Sequence, residues 1–340
     1  MRWQAFRNAK FALFAALPAL LLLIFCDLGA RYWYDESLWK LASGILSRRA
    51  EARTLFREPL GRYDPVVGYS CVPGVHHIAL VKGLARLDLR VTIGDDGYRI
   101  TSRSPAAPGT PELWISGCSY TWGLGVNDEE TFAWLVQAAL PSLRVRNLGG
   151  SGYGTLQALL QLRHAEERGL PLPKIAVVVY NDFHLERNVA APHYLRMMND
   201  SGPAFGPARA SVPAASLDSR GALQIAWLPL YQGLPDPWPE PTLDHEVRVA
   251  AAILDDIRAL CARHGIIPVF AIQSQPSGDP VLEHARRTGY VIADLWFDLD
   301  ERAGTRYRLV PVDRHPNPRA HAIYARKLLA ALRPAIAARH

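Results

Sequence analysis

Four cysteines in 340 residues are too few to staple a chain of this size with disulfides. No two of them stand at a spacing that would hold a metal ion. Cys26 falls in an apolar run, Cys71 in a loop, Cys118 beside a serine of interest and Cys261 on an amphipathic helix. A basic stripe interleaved with aromatics is also missing. The net charge is +6, yet arginines such as Arg258, Arg263, Arg286 and Arg287 are scattered over helical faces, so no nucleic-acid partner is expected. The glycine stretch Asn147-Leu-Gly-Gly-Ser-Gly-Tyr-Gly-Thr155 lacks a phosphate-binding Lys. Gly150, Gly152 and Gly154 give G-x-G-x-G without the further glycine or downstream acidic residue that a dinucleotide loop needs. No organic or metal cofactor is expected.

Long apolar runs are scarce, with one exception. Phe11 to Cys26 is uninterrupted, and Arg2, Arg7 and Lys10 precede it. As a helix it reaches about 24 Å, slightly short of a bilayer core, and Leu28 to Ala30 extend it. It ends Leu-Ile-Phe-Cys-Asp, without the small residues of a cleavage site, and Tyr32, Trp33 and Tyr34 follow as an interfacial belt. The expectation is an uncleaved N-terminal transmembrane signal anchor in a bacterial inner membrane, single-pass, with the rest of the chain on the periplasmic side.

With 49% hydrophobic content the chain has material for a large core. Residues 1–30 form the cytoplasmic terminus and anchor, 31–110 a lead-in, and 111–340 the main domain. Ser37 to Ala52 has Leu38, Leu41, Ile45 and Leu46 at helical spacing. Tyr63 to Ile100 alternates apolar and polar residues as one or two strands, and Ser102 to Pro111 is a linker. From Pro111 the pattern alternates strand and helix, which predicts a parallel sheet with helices on both faces. The strands are Leu113 to Ser116, Arg144 to Leu148, Ile175 to Tyr180, Ile266 to Ile272 and Tyr290 to Asp294. The helices are Glu129 to Leu140, Thr155 to Arg168, Glu246 to His264, Pro280 to Arg287 and Arg319 to Ala338. An insertion at about 190–241 holds nine of the 26 prolines between Pro192 and Pro241. So dense a run excludes regular helix and reads as an ordered excursion over the surface, a rim or lid.

Four short blocks carry candidate chemistry. Glu112-Leu-Trp-Ile-Ser-Gly-Cys-Ser-Tyr-Thr-Trp-Gly-Leu-Gly125 reads as a buried strand ending in a serine-bearing turn, and the carboxyl ends of strands are where open α/β sheets bind ligands. The glycine stretch around Gly152 follows the next strand. Tyr180-Asn-Asp182 ends the third, and Val312-Asp-Arg-His-Pro-Asn-Pro-Arg-Ala-His321 precedes the last helix. Taken singly, each reads as a turn or cap residue. Together they fall on one edge of one sheet.

In that order and spacing the chain resembles the SGNH or GDSL hydrolase superfamily from about Glu112 to Leu328, the excursion apart. The lead-in motifs Asp64-Pro-Val-Val-Gly-Tyr and Asp95-Asp-Gly-Tyr-Arg99 are similar to those of membrane-anchored bacterial members. The resemblance implies a three-layer α/β/α flavodoxin-like domain with a five-stranded parallel sheet. It further implies Ser119 as nucleophile and His315 as base, with Asp313 orienting the imidazole. Ser119 N–H, Gly152 N–H and the Asn181 amide would form the oxyanion hole. A serine hydroxyl is a weak nucleophile until a base takes its proton, and the oxyanion needs preorganised donors. Two departures stand out: Cys118 replaces the usual Asp before the nucleophile, and Asp313-x-His315 is one residue shorter than the usual D-x-x-H. The serine turn also lacks the second glycine of G-x-S-x-G, which argues against an α/β-hydrolase.

The activity implied is ester hydrolysis, with an acylated small molecule or an O-acylated envelope glycan as substrate. Two alternatives stay open: an O-acyltransferase acting on an extracytoplasmic glycan, and an inactive envelope-assembly or glycan-binding protein. Trp122, Tyr153 and Phe183 follow the motif positions and read equally as a pocket wall or sugar platform and as core. His184, His193 and His321 read as surface histidines, and Asp182 as a loop anchor. The oligomeric state is not legible.

Overall fold

The computed structural model describes residues 17–18, 20–33, 37–39, 52–56, 60–200, 211–230, 240–300 and 306–337. Contacts divide the chain into two compact units. One comprises Met1–Leu55, Ala79–Asp88 and Pro311–Asp313, the other Phe56–Ile78, Leu89–Val310 and Arg314–His340. In the first, residues 20–33 are helical, and Leu21, Leu22, Leu23 and Phe25 are exposed on them. Among the described residues no helix is long and apolar enough to cross a membrane. Residues 11–16 and 19 of the expected anchor, and 40–51 of the expected amphipathic helix, lie outside the described residues. Ala52, the expected end of that helix, opens strand β1 (Ala52–Phe56) instead.

The lead-in is richer in strand than its sequence pattern indicates. β2 (Gly61–Asp64) and β3 (Gly68–Cys71) form an antiparallel hairpin with Tyr63 opposite Tyr69, so Cys71 closes a strand and does not lie in a loop. β4 (Gly74–Lys82) and β5 (Ala85–Ile93) follow, in a three-stranded sheet of order β1-β4-β5. The chain then forms β6 (Glu112–Ser116), β7 (Arg144–Asn147) and β8 (Ile175–Tyr180). A hairpin of β9 (Ser211–Leu217) and β10 (Leu223–Pro229) comes next. β11 (Ile267–Ile272) and β12 (Val291–Asp294) complete the set.

Five of these, ordered β12-β11-β8-β6-β7, pair in parallel throughout. The sheet grows one way from β6 to β7 and the other way from β8 onward. The switch point, where such sheets bind ligands, therefore lies between the carboxyl ends of β6 and β8. Side chains alternate faces as strand geometry requires. Leu113 and Ile115 pack with Phe132, Val136, Tyr324 and Leu328 from the helices Phe132–Ala139 and Pro318–Ala337. Trp114 packs on the other side with Leu159, Leu162, Ile253 and Ile257 from the helices Leu156–Glu167 and Leu243–His264. All six residues of β8, Ile-Ala-Val-Val-Val-Tyr, are buried, as suits a central strand covered on both faces.

Two helices depart from expectation. The stretch Glu129 to Leu140 divides into a 3-10 turn, Asp128–Glu130, and the helix Phe132–Ala139. Glu130 accepts the Asn127 backbone N–H at 2.8 Å, ending one short turn before Thr131 caps the next through the Trp134 N–H. The Pro-rich excursion does contain regular helix, Pro192–Asp200. Pro192 occupies its first position, where a missing N–H costs no hydrogen bond, and the next proline is Pro203. The β9-β10 hairpin fills the middle of the excursion, and residues 201–210 and 231–239 lie outside the description.

The turn after β6 is held by two buried polar side chains. Arg99 is 2% exposed. Its guanidinium donates to Asp128 Oδ1 at 2.9 Å, to Gly123 O and Val126 O at 2.6 Å each, and to Trp122 O at 3.2 Å. Asn147, fully buried, donates through Nδ2 to Thr121 O at 3.0 Å. Together they donate to carbonyls at the end of the short helix Ser119–Trp122 and of the turn that follows it. Truncation would remove the counter-charge of a buried carboxylate and a donor from three carbonyls. Arg99→Ala is therefore expected to cost about 3–5 kcal/mol, read from the urea midpoint, whereas a midpoint unmoved by the change would refute the role.

Candidate active site

β6 ends at Ser116, and the chain turns through Gly117 and Cys118 into the four-residue helix Ser119–Trp122. Gly117 is required there: a Cβ would lie 2.3 Å from Thr121 Oγ1 and 2.9 Å from Val179 Cβ. Cys118 is the N-cap and is wholly buried, with Asn181 Nδ2 4.0 Å from its sulfur. Ser119 comes next, 5% exposed, as the first residue of the helix. Its Oγ lies 2.9 Å from His315 Nε2, a contact between residues 196 positions apart.

The loop bearing His315 is tied by backbone and side-chain bonds. The Leu309 N–H donates to His315 O at 3.0 Å and the Asn317 N–H to Tyr307 O at 2.8 Å. Asn317 Oδ1 then accepts from Arg319 and Ala320 N–H at 3.1 and 3.2 Å, capping the last helix. Arg308 braces the same loop by donating through Nη1 to Arg314 O at 2.6 Å and to Tyr120 Oη at 3.4 Å. Its other edge pairs with both oxygens of Asp300, at 2.5 and 2.7 Å. That pairing holds the Asp300 carboxyl below its usual range and raises the guanidinium. The Tyr120 ring meets the imidazole edge-on, centroids 5.3 Å apart. Asp313 stands two residues before His315 in this loop and is half-buried.

The two further oxyanion candidates occupy the neighbouring loops. The glycine loop after β7 is joined to the serine turn by the Gly150 N–H, which donates to Gly117 O at 3.0 Å. Tyr69 Oη donates to Ser151 O at 2.6 Å. Gly152 has φ +81°, and a Cβ there would come within 2.7 Å of both Met198 Sδ and Tyr69 Oη. Only glycine fits. Neither Ser119 N–H nor Gly152 N–H donates to a backbone acceptor among the described residues. Asn181, at the end of β8 and 4% exposed, donates through Nδ2 to Gln273 Oε1 at 2.9 Å. Serine and imidazole thus meet at the switch point, with the glycine loop and the Asn181 carboxamide at the ends of the neighbouring strands. Among the described residues no three His, Cys, Asp or Glu side chains group so as to hold a metal ion.

Several neighbours differ from expectation. Trp122 and Tyr153 take the core alternative, 3% and 2% exposed. Phe183 is half-buried, with its ring 5.8 Å from that of Tyr120. His193 is exposed as expected, but His184 and His321 are completely buried, His184 edge-on to Tyr180 and His321 stacked on Phe132 of a neighbouring helix. Phe132 N–H donates to His321 Nδ1 at 3.2 Å. Asp182 accepts the Phe183 N–H at 2.8 Å, the loop-anchoring role expected of it. Gln273, Tyr120 and Arg308 were not legible as site residues. Gln273 had one signal, its place directly after a strand at the same sheet edge.

Burial holds both buried histidines neutral. It lowers His321 to about 3, with Arg99 and then His315 adding to the effect, and it lowers His184 well below its ordinary value. In the unfolded chain they take protons near pH 6.5, so unfolding is favoured as pH falls from there toward the folded value near 3. Thermal stability should be flat above about pH 7 and decline below about pH 6. His321→Gln should flatten part of that acid limb, as followed by melting curves across pH.

No family model and no curated protein matches the chain. Among solved structures it is similar to an alpha/beta hydrolase enzyme from the metagenome of Lake Arreo, at 18% identity and TM-score 0.39, over 66% of this chain and 95% of that one. It is also similar to a member of the lipolytic G-D-S-L family from Veillonella parvula, at 14% identity and TM-score 0.38, over 64% and 96%. A third likeness is to an acetyl xylan esterase from Geobacillus stearothermophilus, at 16% identity and TM-score 0.36, over 66% and 94%. These likenesses are distant, and the site stands on the chain's own geometry.

Proposed function

We propose that the chain is a serine-dependent ester hydrolase of the SGNH type. The observation that carries this is the 2.9 Å contact between His315 Nε2 and Ser119 Oγ at the switch point of a parallel sheet. In this reading Ser119 attacks the ester carbonyl while His315 takes the hydroxyl proton. The negative oxygen is received by Ser119 N–H, Gly152 N–H and the Asn181 amide, donors fixed before the charge develops. His315 then protonates the departing alcohol, leaving an acyl-serine, and activates the water that releases the acid. Asp313 is assigned to the other ring nitrogen, where a carboxylate steadies the imidazolium. Cys118 is not the nucleophile in this scheme, since its sulfur is buried beside Asn181.

The substrate in this proposal is an acyl or acetyl ester on an envelope carbohydrate. Half-buried Tyr120 beside His315, with Phe183 against Tyr120 in turn, supports it, because aromatic rings offer flat apolar surface with a polar edge. A membrane tether through the amino-terminal segment is part of the same proposal. Its support is the apolar run Phe11 to Cys26 and the exposure of Leu20 to Phe25.

Turnover of a chromogenic acetyl ester by the full chain should fall at least about 10³-fold in Ser119→Ala and in His315→Ala, with the folded state confirmed by circular dichroism. Equal background turnover in all three proteins would refute the enzymatic reading. Alkaline carbonate extraction of expressing cells should leave the chain with the membrane pellet; recovery in the supernatant would refute the tether.

A further inference from the structure

The carboxamide of Asn181 has a problem that a backbone N–H does not. Its oxygen and nitrogen are nearly the same size, and rotation about the last side-chain bond exchanges them. An oxyanion met by the oxygen end would be repelled. Something must therefore decide which end faces the reacting carbonyl.

We propose that Gln273 is a positioning residue that sets the orientation of the Asn181 amide in the oxyanion hole. The inference rests on the esterase reading above. β8 and β11 pair in parallel with Tyr180 opposite Ile272, so the next residue on each strand, Asn181 and Gln273, emerge side by side at the carboxyl edge. The Gln273 N–H donates to Tyr180 O at 2.9 Å, which fixes its backbone against the strand that Asn181 ends. Its side-chain carbonyl accepts one N–H of Asn181 at 2.9 Å. An accepting carbonyl attracts the nitrogen end of the neighbouring amide and repels the oxygen end. With one N–H engaged there, the other has only the Cys118 sulfur beside it, 4.0 Å from Nδ2, a weak acceptor that a substrate oxygen would displace.

Both side chains are about 4% exposed, so water is a poor competitor for that bond and the orientation is held before substrate arrives. Packing alone does not call for glutamine at this position. Gln273 Nε2 is buried and has no hydrogen-bond partner among the described residues, an orphan donor that an apolar residue of similar shape would avoid. The carbonyl is the part of the side chain with an assigned partner, and that partner is Asn181.

The test is a double-mutant cycle on the full chain with a chromogenic acetyl ester, with kcat and KM measured separately. Gln273→Met keeps the volume and removes the acceptor. It should lower kcat about 10-fold with KM within about two-fold, because the lost interaction belongs to the transition state. Asn181→Ala should lower kcat about 10²–10³-fold. In the Asn181→Ala background Gln273→Met should cost less than about two-fold, since no amide remains to be oriented. Gln273→Asn, which withdraws the carbonyl by one methylene, should reproduce the kcat loss, and it serves as the second variant should the first fail to fold. A full 10-fold loss from Gln273→Met in the Asn181→Ala background, an effect on KM alone, or an unchanged kcat overturns the positioning role. Asn181→Ala retaining parental kcat removes the oxyanion assignment and this proposal with it, whereas sensitivity to Asn181 combined with indifference to Gln273 removes this proposal alone.

Discussion

A buried guanidinium organises the active-site edge. Arg99 comes from the lead-in, before the parallel sheet begins, yet it fills the hollow of the turn that follows Ser119. A four-residue helix has too few internal bonds to keep its own shape. Its carbonyl ends point inward, away from water, and need donors that do not compete with other structure. Arginine suits the task because its planar fork delivers several N–H groups at once. Asp128 at its back balances the charge and also accepts the Thr92 N–H at 3.1 Å, which binds β5 into the arrangement. Ser119 is thus held from behind by a polar core, while its hydroxyl meets the loop before the last helix.

The sheet was readable in the sequence because its strands obey a simple rule. Ile175 to Tyr180 is β-branched and apolar from end to end, and it is a strand over those residues. The helices carrying capping residues were nearly as plain: Asp279 followed by Pro280 starts a helix at Pro280. Where the reading failed, the cause was tertiary. The lead-in's alternation spread over several short strands, because hairpins such as β2-β3 depend on turns that periodicity does not reveal. Proline density suggested no helix in the excursion, but what matters is where a proline sits, and Pro192 sits at a first turn.

The site divides in the same way. Ser119, Gly152, Asn181 and His315 could be named because each stands in a short block after a strand or before a helix. Their supports could not. Arg99 was visible only as part of a lead-in motif, and Asn147 only as the first letter of the glycine block. Gln273 and Arg308 belong to no block at all. Supporting residues act through contacts between segments far apart in the chain, and a single sequence carries no trace of such contacts. His184 and His321 illustrate the opposite error, since polar letters on a helix suggested surface where the fold had placed core.

The serine turn follows the first strand of the sheet in chain order, whereas the imidazole that meets it lies beyond the last, β12. Parallel strands must wait for distant partners, so such sheets assemble slowly. A chain cut before β12 would accordingly keep the serine and the side chains that brace its turn, Arg99 and Asn147, and lack the imidazole. On the hydrolase reading proposed above, competence therefore needs both ends of the parallel sheet in place.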